Sequence, residues 1–172
     1  NKGHFMLADI VSAYMGRYGD QIKLYIIGKQ FRGKYGREVL DKIERQGIQN
    51  NIEFIGEISD SILMSYYLGC DIYINVSDHE GFCVPIVEAQ KFMLPVIAKN
   101  SSAVGETLGE HQILLGDEVE DYVNEIHEIM KDRDRREQLR AWGYKNYRER
   151  FSYNAISDIF KRFLEEKVGV EL

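Results

Sequence analysis

Short apolar runs alternate along the chain with longer stretches in which apolar residues recur at helical spacing. The apolar runs, rich in β-branched residues, predict strands at 22–27, 52–55, 71–76, 95–98 and 112–115. Helical spacing predicts helices over 4–16, about 85–93 and about 153–167, and two more between 119 and 149. A further helix should end at Gly47, and another should begin after Ser59, which can cap it. This alternation predicts an α/β fold, a Rossmann-like open parallel sheet flanked by helices.

The loop after the third predicted strand has the composition of an anion site. Gly81 allows a sharp turn, and Pro85 suits the first position of a helix, where its missing N–H costs nothing. The N–H groups before that helix have no helical partner and lie at the positive end of its dipole. Glu80 and Glu88 flank these groups. Two carboxylates beside a phosphate site suit a ligand with phosphates and many hydroxyls, such as a nucleotide sugar.

Composition narrows the class of protein. The chain has 172 residues, enough for one domain with a substantial core, and a net charge of −6. The acidic balance argues against a nucleic-acid partner. Two cysteines, Cys70 and Cys83, are too few for a disulfide framework and predict reduced thiols in a cytoplasmic protein. We see no apolar run of about 18 residues and no signal-peptide pattern.

Several segments, in this order, resemble one enzyme family. Residues 75–89 resemble the E-x7-E signature of retaining glycosyltransferases of the family 4 (group 1) type, which have the GT-B fold. The flanking segments agree: 51–56 resembles the family's V-x-F-x-G strand, 67–71 its Y-x-x-A-D lead, 94–98 its x-P-V-I-A strand and 151–153 its late F-S-W. The similarity covers nearly the whole chain.

The resemblance implies that residues 1–172 are the C-terminal, nucleotide-sugar-binding half of such an enzyme. In the family this half begins with a strand and an arginine before a Lys-Gly pair, which Lys2 and Gly3 match. We therefore expect a fragment, inactive alone, whose first strand and N-terminal acceptor domain are missing. Its expected partners are a nucleotide-diphosphate sugar, that N-terminal domain and a glycan or lipid-linked acceptor. The full-length enzyme would be cytoplasmic and able to sit peripherally at a membrane.

The resemblance also assigns roles to single residues. Lys2 and Glu80 would be catalytic: Lys2 stabilises the leaving diphosphate, and Glu80 binds the sugar hydroxyls. Glu88 would bind the ribose diol, because two carboxylate oxygens accept side by side. The remaining donor-binding residues would be Gly81, Phe82 and Cys83 through their amides, Ile58 at the base, and Asn100 and Ser101 over the sugar or phosphate.

The resemblance implies retaining transfer assisted by the leaving phosphate, so neither glutamate need be a covalent nucleophile. No metal or other cofactor is expected. The family more often has glycine where this chain has Cys83, so the shape of the loop could differ there. We discount Cys83 as a nucleophile because no histidine pairs with it in the sequence pattern.

Two other motifs indicate different chemistry and are discounted. Residues 28–34 fit the phosphate-binding pattern G-x-x-x-x-G-K, but Tyr35 replaces the Ser or Thr that would bind Mg²⁺. Asp132 and Asp134 spell D-x-D, which we interpret as a solvated turn between charged helices.

Two alternative functions stay open: a nucleotide-sugar epimerase of the same fold, and a non-catalytic nucleotide-sugar-binding module. The apolar stripe of the last helix, over about 153–167, predicts self-association if its cover lies outside this chain.

Overall fold

The computed structural model describes residues 2–29 and 33–169. The elements are α1 His4–Tyr18, β1 Leu24–Ile27, α2 Gly33–Arg45, β2 Ile52–Gly56, α3 Asp60–Gly69, β3 Tyr73–Asn75, α4 Val84–Lys91, β4 Val96–Lys99, α5 Val104–Leu108, β5 Ile113–Leu115, α6 Val119–Lys131, α7 Arg133–Asn146, a π-helical turn Tyr147–Phe151 and α8 Tyr153–Val168. Parallel strands flanked by helices confirm the predicted α/β class.

The described strands form two parallel sheets. β1 pairs only with β2, and β3, β4 and β5 pair in that order, all in parallel. A cleft of about 1610 Å³ separates β1 from β3 and is lined by both strands. The edges that these two strands turn toward the cleft carry no strand in the described chain. The first strand that the family resemblance implies stays a prediction.

Helix α1 holds the two sheets together because it contributes to a separate apolar cluster on each side. Ile10 and Tyr14 belong to the cluster that contains Ile97 of β4, whereas Ala8 and Val11 pack in the cluster of α2 and β2. All four α1 side chains are buried. The burial of such side chains is the main favourable contribution to folding.

Ser59 precedes α3 as predicted, but its side chain does not cap the helix. No hydrogen bond joins it to a backbone N–H of α3, and its hydroxyl oxygen lies 3.0 Å from that of Ser61. The side-chain pair has displaced the expected cap.

The predicted apolar stripe on α8 is present. Ile156, Ile159, Phe160 and Phe163 are each more than half exposed, so the described chain covers this stripe only in part. Within residues 2–29 and 33–169, no helix has the length and apolar content needed to cross a membrane.

Candidate functional site

The loop between β3 and α4, residues 76–83, is called the Glu80 loop below. Its start is fixed by Asn75, the last residue of β3, which is buried. The Asn75 amide donates to the sulfur of Cys83 at 3.2 Å, and its carbonyl accepts from the Ser77 N–H at 3.2 Å. One side chain therefore joins the two ends of the loop.

The backbone donors before α4 are free, as the sequence predicted. Within the described chain, no hydrogen bond is made by the N–H groups of Gly81, Phe82 and Cys83, and the first bonded amide is that of Ile86, which donates to the Cys83 carbonyl at 3.0 Å. These donors precede Pro85 in the first turn of α4. Unpaired amides at the positive end of a helix are suited to bind an anion. Their binding of phosphate stays a prediction.

Lys2 reaches the Glu80 loop because Gly3 allows the chain to pass very close to it. Gly3 has φ 68°, and a Cβ atom there would lie 2.3 Å from the carbonyl oxygen of Val76. Lys2 Nζ then lies 2.6 Å from Glu80 Oε1. The two residues predicted to be catalytic are thus in direct contact.

The electrostatics of Glu80 favour its charged form. Burial raises the pKa of this carboxyl, but hydrogen bonds from Lys2 and Ser77, with the charge of Lys2, outweigh that effect and hold the pKa below its usual value. Glu80 is therefore an ionised acceptor at neutral pH.

Glu88 has a hydrogen-bond partner, Tyr67, that was not among the predicted site residues. The buried Tyr67 of α3 donates its hydroxyl to Glu88 Oε2 at 2.9 Å, and its ring stacks on Phe92. Burial and the nearby Glu88 raise the pKa of Tyr67, so it remains a donor. The signal in the sequence was a tyrosine on a core-facing stripe, because a buried tyrosine hydroxyl usually needs a polar partner.

Four of the predicted residues share one cleft. Lys2, Ile58, Glu80 and Glu88 all line the cleft that also runs between β1 and β3. The two glutamates, from the loop and from α4, therefore face the same space. Of these four residues, Lys2 and Glu80 are in direct contact.

The other predicted residues, Gly81, Phe82, Cys83, Asn100 and Ser101, are not part of the lining of this cleft. The Phe82 ring is half exposed and packs edge-to-face on Phe151, with ring centroids 5.3 Å apart. Asn100 is exposed, and its N–H donates to the Leu115 carbonyl at 2.7 Å. The Ser101 hydroxyl is buried and donates to the Ser77 carbonyl at 2.7 Å, so it serves the protein itself.

Cys83 is buried and has φ 59°, a left-handed conformation that favours glycine. Burial raises the pKa of its thiol to about 11. A neutral thiol is a poor nucleophile, which agrees with our discounting of Cys83 in covalent chemistry.

The discounted motifs have structural explanations where they are described. Asp132 accepts a hydrogen bond from the Arg135 N–H at 2.9 Å and so caps α7. Across the described ranges, no cluster of three or more His, Cys, Asp or Glu residues could hold a metal ion. The centre of the G-x-x-x-x-G-K segment, residues 30–32, lies outside the described residues.

Comparison with known proteins identifies glycosyltransferases as relatives. The model of the family described as glycosyl transferases group 1 matches residues 1–149. The serotype-specific mannosyltransferase WbdA of Escherichia coli is 30% identical over 113 residues, covering 64% of this chain and 13% of that protein.

Two solved structures are similar in fold. HepE of Anabaena, in complex with UDP and glucose, has a TM-score of 0.82 at 23% identity, covering 96% of this chain and 45% of HepE. The C-terminal domain of the group 1 family protein LpcC of Francisella tularensis has a TM-score of 0.76 at 23% identity, covering 88% of this chain and 80% of that domain.

The chain spans less than half of the length of WbdA and of HepE. Its fold is that of the C-terminal domain of GT-B glycosyltransferases. Since the family model matches most of its residues, the chain belongs to the group 1 glycosyltransferase family.

Proposed function

We propose that this chain is the donor-binding half of a retaining glycosyltransferase that transfers a sugar from a nucleotide diphosphate to a glycan or lipid-linked acceptor. One observation carries the proposal. Glu80 and Glu88 line the same cleft, and the free N–H groups of Gly81, Phe82 and Cys83 lie between them in the chain. Acceptors for hydroxyls and donors for phosphate are thus combined at one strand end, where ligands of parallel sheets bind.

In this proposal the diphosphate binds at the start of α4. The loop amides and Lys2 stabilise the negative charge that grows on the leaving phosphate as the glycosidic bond breaks. The diphosphate competes with Glu80 for the Lys2 ammonium, which releases the Glu80 carboxylate to the sugar hydroxyls. These positive groups, rather than a metal ion, neutralise the leaving group.

Glu88 binds the ribose diol through two adjacent oxygens, and Tyr67 fixes its orientation through the 2.9 Å hydrogen bond. The base lies near Ile58, which lines the same cleft. The UDP and glucose bound by HepE and the mannosyltransferase name of WbdA support a nucleotide-sugar donor. Which base and which sugar the donor carries is to be determined by comparing the binding of different nucleotide sugars.

The test is thermal unfolding of the protein with UDP-glucose, GDP-mannose, UDP, GDP and ADP-glucose. A donor at 100 times its Kd should stabilise the fold by about 2.7 kcal/mol. This corresponds to a rise in Tm of roughly 5–10 °C at this size. Glu88→Ala should abolish most of the shift for the preferred donor.

The matched control is Glu110→Ala, which removes an almost fully exposed carboxylate ahead of β5, at the other end of the sheet. This variant should keep the full shift. An equal shift in wild type and Glu88→Ala would remove Glu88 from the donor site. No shift with any nucleotide sugar would contradict donor binding by this chain.

A further inference from the structure

The Glu80 loop is tied side by side to the loop after β4, residues 100–103, called the serine loop below. The Ser101 hydroxyl donates to the Ser77 carbonyl at 2.7 Å, and both residues are buried. Ser102 Oγ lies 2.8 Å from His79 Nδ1. Ser102 has φ 46°, so the serine loop bends sharply at this contact. Neighbouring positions of the two loops therefore contact each other in pairs.

Lys99, at the end of β4, adds the strongest of these connections. Its Nζ lies 2.5 Å from Asp78 Oδ1 in the Glu80 loop and 2.5 Å from Asp117 Oδ1, which follows β5. The Lys99 side chain is only 14% exposed, whereas Asp78 and Asp117 are 62% and 77% exposed. A single cation of the central strand thus joins the carboxyl ends of β3, β4 and β5.

The charge balance indicates what Lys99 does. Two carboxylates already neutralise its ammonium, and together the three groups carry one net negative charge. The hydrogen bonds that Lys99 donates to Asp117 and Asp78 raise the pKa of Lys99, so its charge persists well above neutral pH. Such a lysine is poorly available to a phosphate and well suited to hold a loop.

We propose that Lys99 is a positioning residue for the nucleotide-sugar donor: it holds the Glu80 loop so that the Gly81, Phe82 and Cys83 amides stay in their binding arrangement. This inference rests on the proposed function. The loop amides make no hydrogen bonds within the described chain, so contacts elsewhere on the loop must order them. Ordering these donors before binding removes an entropic cost from the binding step.

The first test needs no donor. We would measure backbone ¹⁵N order parameters at Gly81, Phe82 and Cys83 in wild type and in Lys99→Met. Rigid backbone has values near about 0.85 and flexible backbone values below about 0.6. The three values should fall toward the flexible range in Lys99→Met and stay at wild-type values in Lys99→Arg.

The matched control is Lys23→Met, which removes another lysine at a strand end, paired with Glu53 at 3.6 Å. It should leave the loop unchanged. Unchanged loop values in Lys99→Met, or an equal loss of order throughout the chain, would overturn the proposal.

The second test measures the affinity for the preferred donor. Lys99→Met should raise the Kd for the donor about tenfold. Adding Asp78→Asn to Lys99→Met should raise the Kd little further, because both changes remove the same ion pair. A tenfold loss in Lys99→Met with unchanged order parameters would overturn positioning and indicate direct contact with the donor. If the wild type binds no donor, the proposed function is wrong. The order parameters still test whether Lys99 orders the Glu80 loop.

Discussion

Cys83 combines a buried side chain with a left-handed backbone at the start of α4. The loop, Glu80 within it and Glu88 beyond it were predictable because turn residues and helix starts have local signatures. That glycine is usual at the Cys83 position was implied only by the family resemblance. Tyr67 and Lys99, whose partners are Glu88 and the pair Asp78 and Asp117, were not predicted as site residues. Those contacts join strands and helices that are distant in sequence, so the spacing of residues along the chain does not predict them.

Replacing Cys83 separates backbone strain from side-chain packing. Cys83→Gly and Cys83→Ala both lose the sulfur and its contact with Asn75, but only glycine relieves the positive φ. We expect the glycine variant to be more stable than the alanine variant by about 1 kcal/mol. Urea unfolding of both variants measures this difference. An alanine variant as stable as the glycine variant would contradict strain at this position.

The Lys2–Glu80 ion pair predicts a pH dependence of stability. The pKa of Glu80 is lower in the folded protein, so its contribution is complete above the unfolded pKa of about 4.3 and is lost as pH falls through the folded pKa. Because Lys2 is largely exposed, the contribution should be below about 1 kcal/mol.

The measurement is the free energy of unfolding of wild type and Glu80→Gln at pH 7 and pH 3. Glu80→Gln should be less stable than wild type at pH 7, and the difference should shrink at pH 3. A difference that grows toward acid would show the opposite sign of the pKa shift. Glu110→Gln serves as the control and should show neither effect.

At the scale of elements, hydrophobic periodicity was sufficient to predict each strand and the main helices. The ends of elements were harder, because hydrogen bonds to particular neighbours decide them. Ser59 and Asp132 both precede helices, yet only Asp132 accepts a bond from the helix that follows. The π-helical turn at Tyr147–Phe151 was not predicted. It follows Asn146, whose side-chain amide bonds Gln90 and the carbonyls of Thr107 and Leu108, contacts distant in sequence.

The two helix starts can be compared directly. Asp132→Ala should cost about 1 kcal/mol, because the first turn of α7 loses its side-chain acceptor. Ser59→Ala should change stability by only a few tenths of a kcal/mol, since no cap is lost. Chemical denaturation of both variants tests this. Equal losses would mean that Ser59 caps α3 in solution.

The whole molecule consists of two parallel sheets joined by α1 across a cleft. The sequence predicted a parallel sheet because the pattern of each βαβ unit lies within one continuous segment of the chain. It did not predict the separation, because pairing between β1 and β3 depends on what lies between them. The lining includes apolar residues of both strands, as a place for a further strand would.

This arrangement predicts that an added strand completes the sheet. An N-terminal extension of about five apolar, β-branched residues should pair with β1 and β3 and raise the free energy of unfolding by at least about 2 kcal/mol. Hydrogen exchange at β1 and β3 amides should slow as well. The control extension has aspartate at alternate positions and should do neither. Equal behaviour of the two extensions would contradict a strand site.

The central claim is that the amides ahead of α4 bind the donor's diphosphate. Titration of ¹⁵N-labelled protein with its preferred nucleotide sugar tests this most directly. Saturable shifts should appear at the Gly81, Phe82 and Cys83 amides, with the same Kd as thermal unfolding and a weaker Kd in Glu88→Ala. Saturable binding that leaves these three amides unmoved would contradict the account.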